Sequence, residues 1–210
     1  MKVLVACECS GRVRDAFAAL GHDAWSCDLE PTDVPGQHLQ CDVLTVLDRG
    51  WDLMIAHPEC KYVAVSGLHW NGRVPGRAAK TEAALEFVRK LLNADIPRIA
   101  LENPISCIST RIRKPDQIIQ PWYFGDDASK ATCLWLKNLP LLRDTNRLPG
   151  DRRTRRANQT PSGQNKLGPS PQRSKLRAMT YPGIAAAMAA QWGPLNTPHD
   201  TQIVSARGWF

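Results

Sequence analysis

Lys2-Val3-Leu4-Val5-Ala6-Cys7-Glu8-Cys9-Ser10-Gly11 joins a short β-branched, apolar run to a turn of small and polar residues. Val13, Phe17 and Leu20 then recur at helical spacing, and Gly21 is placed to end that helix. A strand feeding a helix through such a turn opens an α/β sheet, and the alternation continues along the chain. His22 to Cys27 reads as a second strand, stopping at Asp28-Leu29-Glu30-Pro31, and Gln40-Cys41-Asp42-Val43 as a third short strand end. Trp51 to Ala56 is the fourth. Ala83, Ala84, Phe87, Val88, Leu91 and Leu92 mark an amphipathic helix over 80–93, and Arg98 to Leu101 is the fifth strand. Trp122-Tyr123-Phe124 and Ala131 to Leu136 read as two further strands joined by Gly125-Asp126-Asp127. Pro182 to Trp192 reads as an alanine-rich helix halted by Gly193-Pro194. The pattern predicts an α/β fold: a mostly parallel, Rossmann-like sheet with helices on both faces and a C-terminal antiparallel strand pair.

The 210 residues suit one domain, expected over 1–193, followed by a tail at 194–210. No apolar run approaches the roughly 20 residues that span a bilayer. The N-terminus runs straight into the first strand, so no leader is expected. The seven cysteines form no CxxC pair, and several sit in apolar runs. Reduced thiols and a cytoplasmic setting follow.

The net charge of +7 is unevenly placed. Arg111, Arg113 and Lys114 form one basic cluster. A longer one lies in and around a Pro-, Ser-, Gly- and Asn-rich stretch, 145–178, read as a basic irregular insert. Arg111, Arg113, Arg152, Arg153, Arg155, Arg156 and Lys175 are the residues expected on nucleic-acid phosphates. On charge alone, a solvated basic loop is an equal reading.

Two strand ends carry reactive groups. The fourth strand leads through His57-Pro58-Glu59 to Cys60, and the fifth ends in Glu102-Asn103-Pro104. Strand ends of a parallel sheet face one crevice. A thiolate there can add to C6 of a pyrimidine while a carboxyl group engages N3. Taken singly, Cys60 also reads as a buried structural thiol and Glu102 as a cap. Asp28 and Asp42, ending the second and third strands, match the layout that holds an adenosine ribose and base, while taken singly they also read as caps or surface acids. GxGxxG and GxxxxGK[ST] are both absent, which argues against a nucleotide triphosphatase. His57-Pro58-Glu59 spells the H-x-E of zinc deaminases, but the PCxxC that completes their metal site is missing, so no metal is expected.

In this order the segments resemble a family, the small S-adenosylmethionine-dependent DNA cytosine-5 methyltransferases carried by bacteriophages and prophages. Val5 to Gly11 stands where that family has its Phe-x-Gly-x-Gly turn. Ala19 to Pro31 is similar to its helix end and acidic strand end, and Cys41-Asp42-Val43 to its third-strand acid. His57-Pro58-Glu59-Cys60 resembles the Pro-Pro-Cys loop, Leu101-Glu102-Asn103-Pro104 resembles Glu-Asn-Val, Lys130-Ala131-Thr132 stands for the Gln-x-Arg-x-Arg strand, and Tyr181 to Trp192 for the last helix. The resemblance covers 1–143 and 178–193. It implies a class I methyltransferase fold, with S-adenosylmethionine held by Ala6, Cys7, Glu8, Ser10, Gly11, Asp28, Leu29, Asp42 and Pro58. It further implies catalysis by Cys60, Glu102 and Lys130 on cytosine-containing DNA.

The departures are specific. Glu59 replaces the second proline, and as a charge beside Cys60 it is expected to raise the thiol pKa. Glu8 and Ser10 replace glycines, and no long target-recognition domain is present. Two alternatives follow: a weak or inactive relative serving as a DNA-binding or decoy protein, and a methylase of free pyrimidine nucleotides.

Overall fold

The apolar runs form one seven-stranded sheet in the computed structural model, which describes residues 1–195. The strands are β1 Lys2–Ala6, β2 Asp23–Asp28, β3 His38–Gln40, β4 Leu53–Ala56, β5 Arg98–Pro104, β6 Gln117–Ile119 and β7 Thr132–Lys137. They stand in the order β3-β2-β1-β4-β5-β7-β6. The β1–β5 pairings are parallel, and β7 runs antiparallel to both β5 and β6. This is a Rossmann-like order with one antiparallel strand inserted near its edge. The helices are α1 Arg12–Ala18, α2 Val65–Leu68, α3 Arg77–Leu92, α4 Ile108–Arg111, α5 Arg173–Ala178 and α6 Pro182–Trp192.

Strand alternation sorts the core into two layers. Leu4, Met54, Ala56, Ile99 and Leu101 pack on one face with Leu85, Val88 and Leu91 of α3. Val3, Val5, Leu53, Ile55 and Ala100 pack on the other with Val13 and Phe17 of α1 and Ile184, Met188 and Trp192 of α6. Burial on both faces explains why these strands read as continuous apolar runs.

Four expectations need correction. β3 ends at Gln40, and 43–45 form a 3₁₀ turn capped by Asp42, whose Oδ1 accepts the Leu44 N–H at 3.0 Å. β5 runs on through Pro104, because β7 pairs Glu102, Asn103 and Pro104 with Leu134, Cys133 and Thr132. Trp122–Phe124 is not a strand: Pro121 opens a 3₁₀ turn over 121–123 that buries Trp122, and β6 is the antiparallel partner instead. The 145–178 stretch is irregular except for α5 at its end. Of the tail, residues 196–210 lie outside those described.

Gly183 and Gly11 leave no room for a side chain. A Cβ on Gly183 would sit 2.0 Å from the Phe124 carbonyl oxygen, while its N–H donates to Asp126 Oδ2 at 2.9 Å, capping α6. Gly11, at φ +72°, turns the chain into α1 against the Arg14 guanidinium.

Arg14 itself is 1% exposed. Its guanidinium donates to Asp15 Oδ1, Ser26 Oγ, Thr32 Oγ1 and the carbonyls of Val34 and Pro35. One buried cation thereby fastens the β2–β3 loop to α1. Arg14→Met strands these acceptors and is expected to cost on the order of 3 kcal/mol, measured by urea unfolding. A loss within the error of the wild-type value would show that the loop does not depend on this anchor.

Candidate active site

The register decides what meets at the carboxyl edge. Ala6 pairs with Ala56, and Ala56 with Leu101. The next residues along, Cys7, His57 and Glu102, therefore follow one another across the sheet, and the His57 N–H donates to the Ala6 carbonyl at 2.9 Å. His57 Nδ1 lies 3.1 Å from Glu102 Oε2, with both side chains under 10% exposed. Burial pushes the Glu102 carboxyl up, but the Lys130 charge, the His57 hydrogen bond and Thr132 outweigh it and hold the group below its ordinary range.

Cys60 joins this group from the loop after β4. Asn103 Nδ2 donates to the Pro58 carbonyl at 2.9 Å, tying the loop to β5. Val63 and Ala64 donate to the Cys60 carbonyl, and Cys107 N donates to the Val63 carbonyl. Burial raises the Cys60 thiol first and Glu102 second; Lys130 opposes them. Glu59 acts in the expected direction but is the least of these causes, because it is exposed. Lys130 precedes β7 where that strand passes Pro104. The structure thus brings Cys60, Glu102 and Lys130 into one electrostatic unit. Among the described residues, His57 Nε2, Glu102 Oε1, Asn103 Oδ1 and Ser106 Oγ are buried without a hydrogen-bond partner.

Beside this unit a pocket is walled by Cys7, Glu8, Cys9, Ser10, Asp33 and His57, with Lys175, Ala178, Met179 and Thr180 on its outer side. Cys7 takes the left-handed region at φ +59°. Its thiol is raised by burial, then by Asp28, Cys27 and Asp42, which places both expected acids beside this turn. Asp28 Oδ1 accepts the Glu30 N–H. Leu29 beside it is 71% exposed, Ala6 and Pro58 are buried, and Gly11 starts α1. Glu8 turns its carboxylate onto the N-terminus of α1, accepting from Val13 N at 2.9 Å, Arg14 N at 3.2 Å and Ser10 Oγ at 3.0 Å. An anion therefore already sits where a dinucleotide's phosphate would bind. The site favours a phosphate-free ligand, above all one with a cationic end.

The basic residues divide. Arg152, Arg153 and Arg155 are exposed. Arg156 departs from expectation: it is 5% exposed, lies 4.6 Å from the Trp122 ring centroid, and donates to the Pro149 carbonyl. Arg111 pairs with Glu82, and Arg113 pairs with Asp116 and donates to the Leu136 carbonyl, on the far side of Glu102 from the crevice. Lys175 pairs with Asp33 at the pocket rim.

A surface that charge counting missed follows Cys60. Lys61, Arg77 and Lys80 lie over the Tyr62 ring, and Arg73 over Trp70. Trp70, Val65 and Val74 are 45%, 52% and 45% exposed. Aromatic rings interleaved with cations are the only signal the sequence offers here. No three metal-ligating side chains converge among the described residues, and no described helix is long and apolar enough to cross a membrane.

No protein-family model and no curated protein matches the chain. Among solved structures it is similar to a protein of an E. coli prophage assigned as a DNA modification methyltransferase, at 12% identity and a TM-score of 0.43, covering 65% of this chain. The match spans 46% of that structure's chain. So distant a likeness carries no argument about the reaction, which has to come from this chain's own geometry.

Alkylation of Cys60, followed at the peptide level by mass spectrometry, is expected to rise with pH only above the ordinary thiol range. Lys130 favours the thiolate, so Lys130→Met shifts the curve to higher pH. Glu102→Gln shifts it lower, and Glu59→Pro barely moves it. A Lys130→Met curve superimposable on wild type would take that charge out of the site.

Proposed function

We propose that the protein transfers a methyl group from S-adenosylmethionine to C5 of cytosine in DNA through a covalent Cys60–C6 adduct. One observation carries the reading. Cys60, on the loop after β4, stands close enough to the buried Glu102 of the neighbouring parallel strand for that carboxylate to raise its thiol, and Glu102 Oε1 has no partner among the described residues.

The residues suit the methyl donor. The turn from Cys7 to Gly11, with Glu8 already holding the helix end, suits a phosphate-free nucleoside bearing positive charge. Asp28 and Asp42 would take its ribose hydroxyls and adenine amino group, with Leu29 against the base. S-adenosylmethionine supplies an electrophilic methyl group when bound there.

The chain's own residues perform the remaining steps. Glu102, held as a carboxylate, accepts the Cys60 Sγ proton and passes it to N3. Sγ bonds to C6, and the C5=C6 electron pair makes C5 nucleophilic. Lys130 stabilises the negative charge that moves between Cys60 and Glu102. Asn103 keeps the loop at β5, so the two groups meet one ring without further ordering. In duplex DNA the base must leave the stack to reach them. Tyr62, Trp70 and their cations lie beside the loop, as a surface for unstacked neighbours requires, while Arg152, Arg153 and Arg155 meet phosphates.

DNA carrying 5-fluorocytosine retains fluorine at C5 and so should trap the enzyme covalently in the presence of S-adenosylmethionine. Cys60→Ser is expected to abolish the adduct on denaturing gels, and Glu102→Gln to slow its formation at least ~100-fold. Wild-type protein that binds both ligands yet forms no adduct would sink the reading and leave the decoy alternative.

Replacing Arg152, Arg153 and Arg155 with alanine should flatten the salt dependence of DNA binding by about 0.9 in log–log slope per lost phosphate contact. Arg156→Ala should lower the melting temperature with the slope unchanged. An Arg156 variant that is as stable as wild type and alters the slope would return that residue to the DNA surface.

A further inference from the structure

His57 is the middle member of the row Cys7, His57, Glu102, placed there by the shared register of β1, β4 and β5. His57 is also among the residues that line the pocket formed by Cys7 to Ser10. Nδ1 meets Glu102 Oε2 at 3.1 Å, and Nε2 is buried without a partner among the described residues. A carboxylate only accepts hydrogen bonds, so Nδ1 carries the hydrogen and Nε2 of the neutral ring is a lone pair. No described residue supplies a hydrogen for that lone pair to accept. A proton from bound substrate would satisfy it.

Resting on the methyl transfer to cytosine C5, we propose that His57 is the catalytic base that removes the C5 proton, with Glu102 orienting its ring. After methylation, C5 of the adduct carries the new methyl group and its original hydrogen. Nε2 takes that hydrogen as a proton, and the C5–H electron pair forms the C5=C6 double bond. The C6–Sγ bond breaks, its pair leaves with Cys60 as the thiolate, and N3 returns its proton through Glu102. The carboxylate stabilises the imidazolium that forms, and no further reactant is needed.

The test uses full-length protein and DNA tritiated at cytosine C5. His57→Asn keeps an amide donor toward Glu102 but has no basic nitrogen. It is expected to form the 5-fluorocytosine adduct near the wild-type rate while donor-dependent tritium release falls at least ~100-fold. In His57→Ala, free imidazole should restore release. Unchanged release in His57→Asn overturns the proposal. So does equal loss of adduct and release without imidazole rescue, which would make His57 only a positioning residue for Glu102. Failure of wild-type protein to form the adduct removes the underlying reaction, an outcome separable from both.

Discussion

The parallel register of β1, β4 and β5 is the constraint on which the site depends. A parallel ladder keeps neighbouring strands in step, so their carboxyl ends finish on one edge and their loops leave the same way. With Ala6, Ala56 and Leu101 in line, a turn, an imidazole and a carboxylate from three distant parts of the chain become neighbours. A one-residue slip would turn each of them to the opposite face. The two apolar layers oppose such a slip, since Val3, Leu53 and Ala100 belong to one and Leu4, Met54 and Ile99 to the other. Stability and site geometry therefore share a cause.

Within that frame, charge is arranged to be tolerated. A carboxylate buried at Glu102 survives because Lys130, His57 and Thr132 each favour its ionised form. The same carboxylate disfavours a second negative charge on Cys60 and, after burial, helps hold the thiol above its ordinary range. Glu8 plays the complementary part at α1, where it neutralises a helix end that would otherwise invite phosphate. The turn reached by Asp28 and Asp42 is thereby separated from dinucleotide chemistry on a similar sheet.

Positive charge serves several purposes that a count cannot separate. Arg14 and Arg156 are internal fasteners, one against the β2–β3 loop and the other against Trp122. Lys175 closes on Asp33 at the pocket, and Arg111 pairs with Glu82. Arg152, Arg153 and Arg155 stay exposed, as do Lys61, Lys80 and Arg73 beside Tyr62 and Trp70. The second group stands next to Cys60 in sequence and in space.

Much of the fold was legible in the sequence because strands buried on both faces announce themselves as apolar runs, and the helices by their period. Cys60 and Glu102 stood out because each follows such a run. Local pattern failed where tertiary partners decided: β7 draws Glu102 to Pro104 into β5, and Pro121 with the core claims Trp122 for a turn. Neither the His57–Glu102 hydrogen bond, nor the Asn103 tie to Pro58, nor the burial of Arg156 has a local signature. Each joins residues through space or depends on what packs above. The sequence by itself determined which groups are present and at which strand ends. Only the tertiary structure decided which of them share a hydrogen bond and which nitrogen is left bare, because register and burial are properties of the assembled sheet.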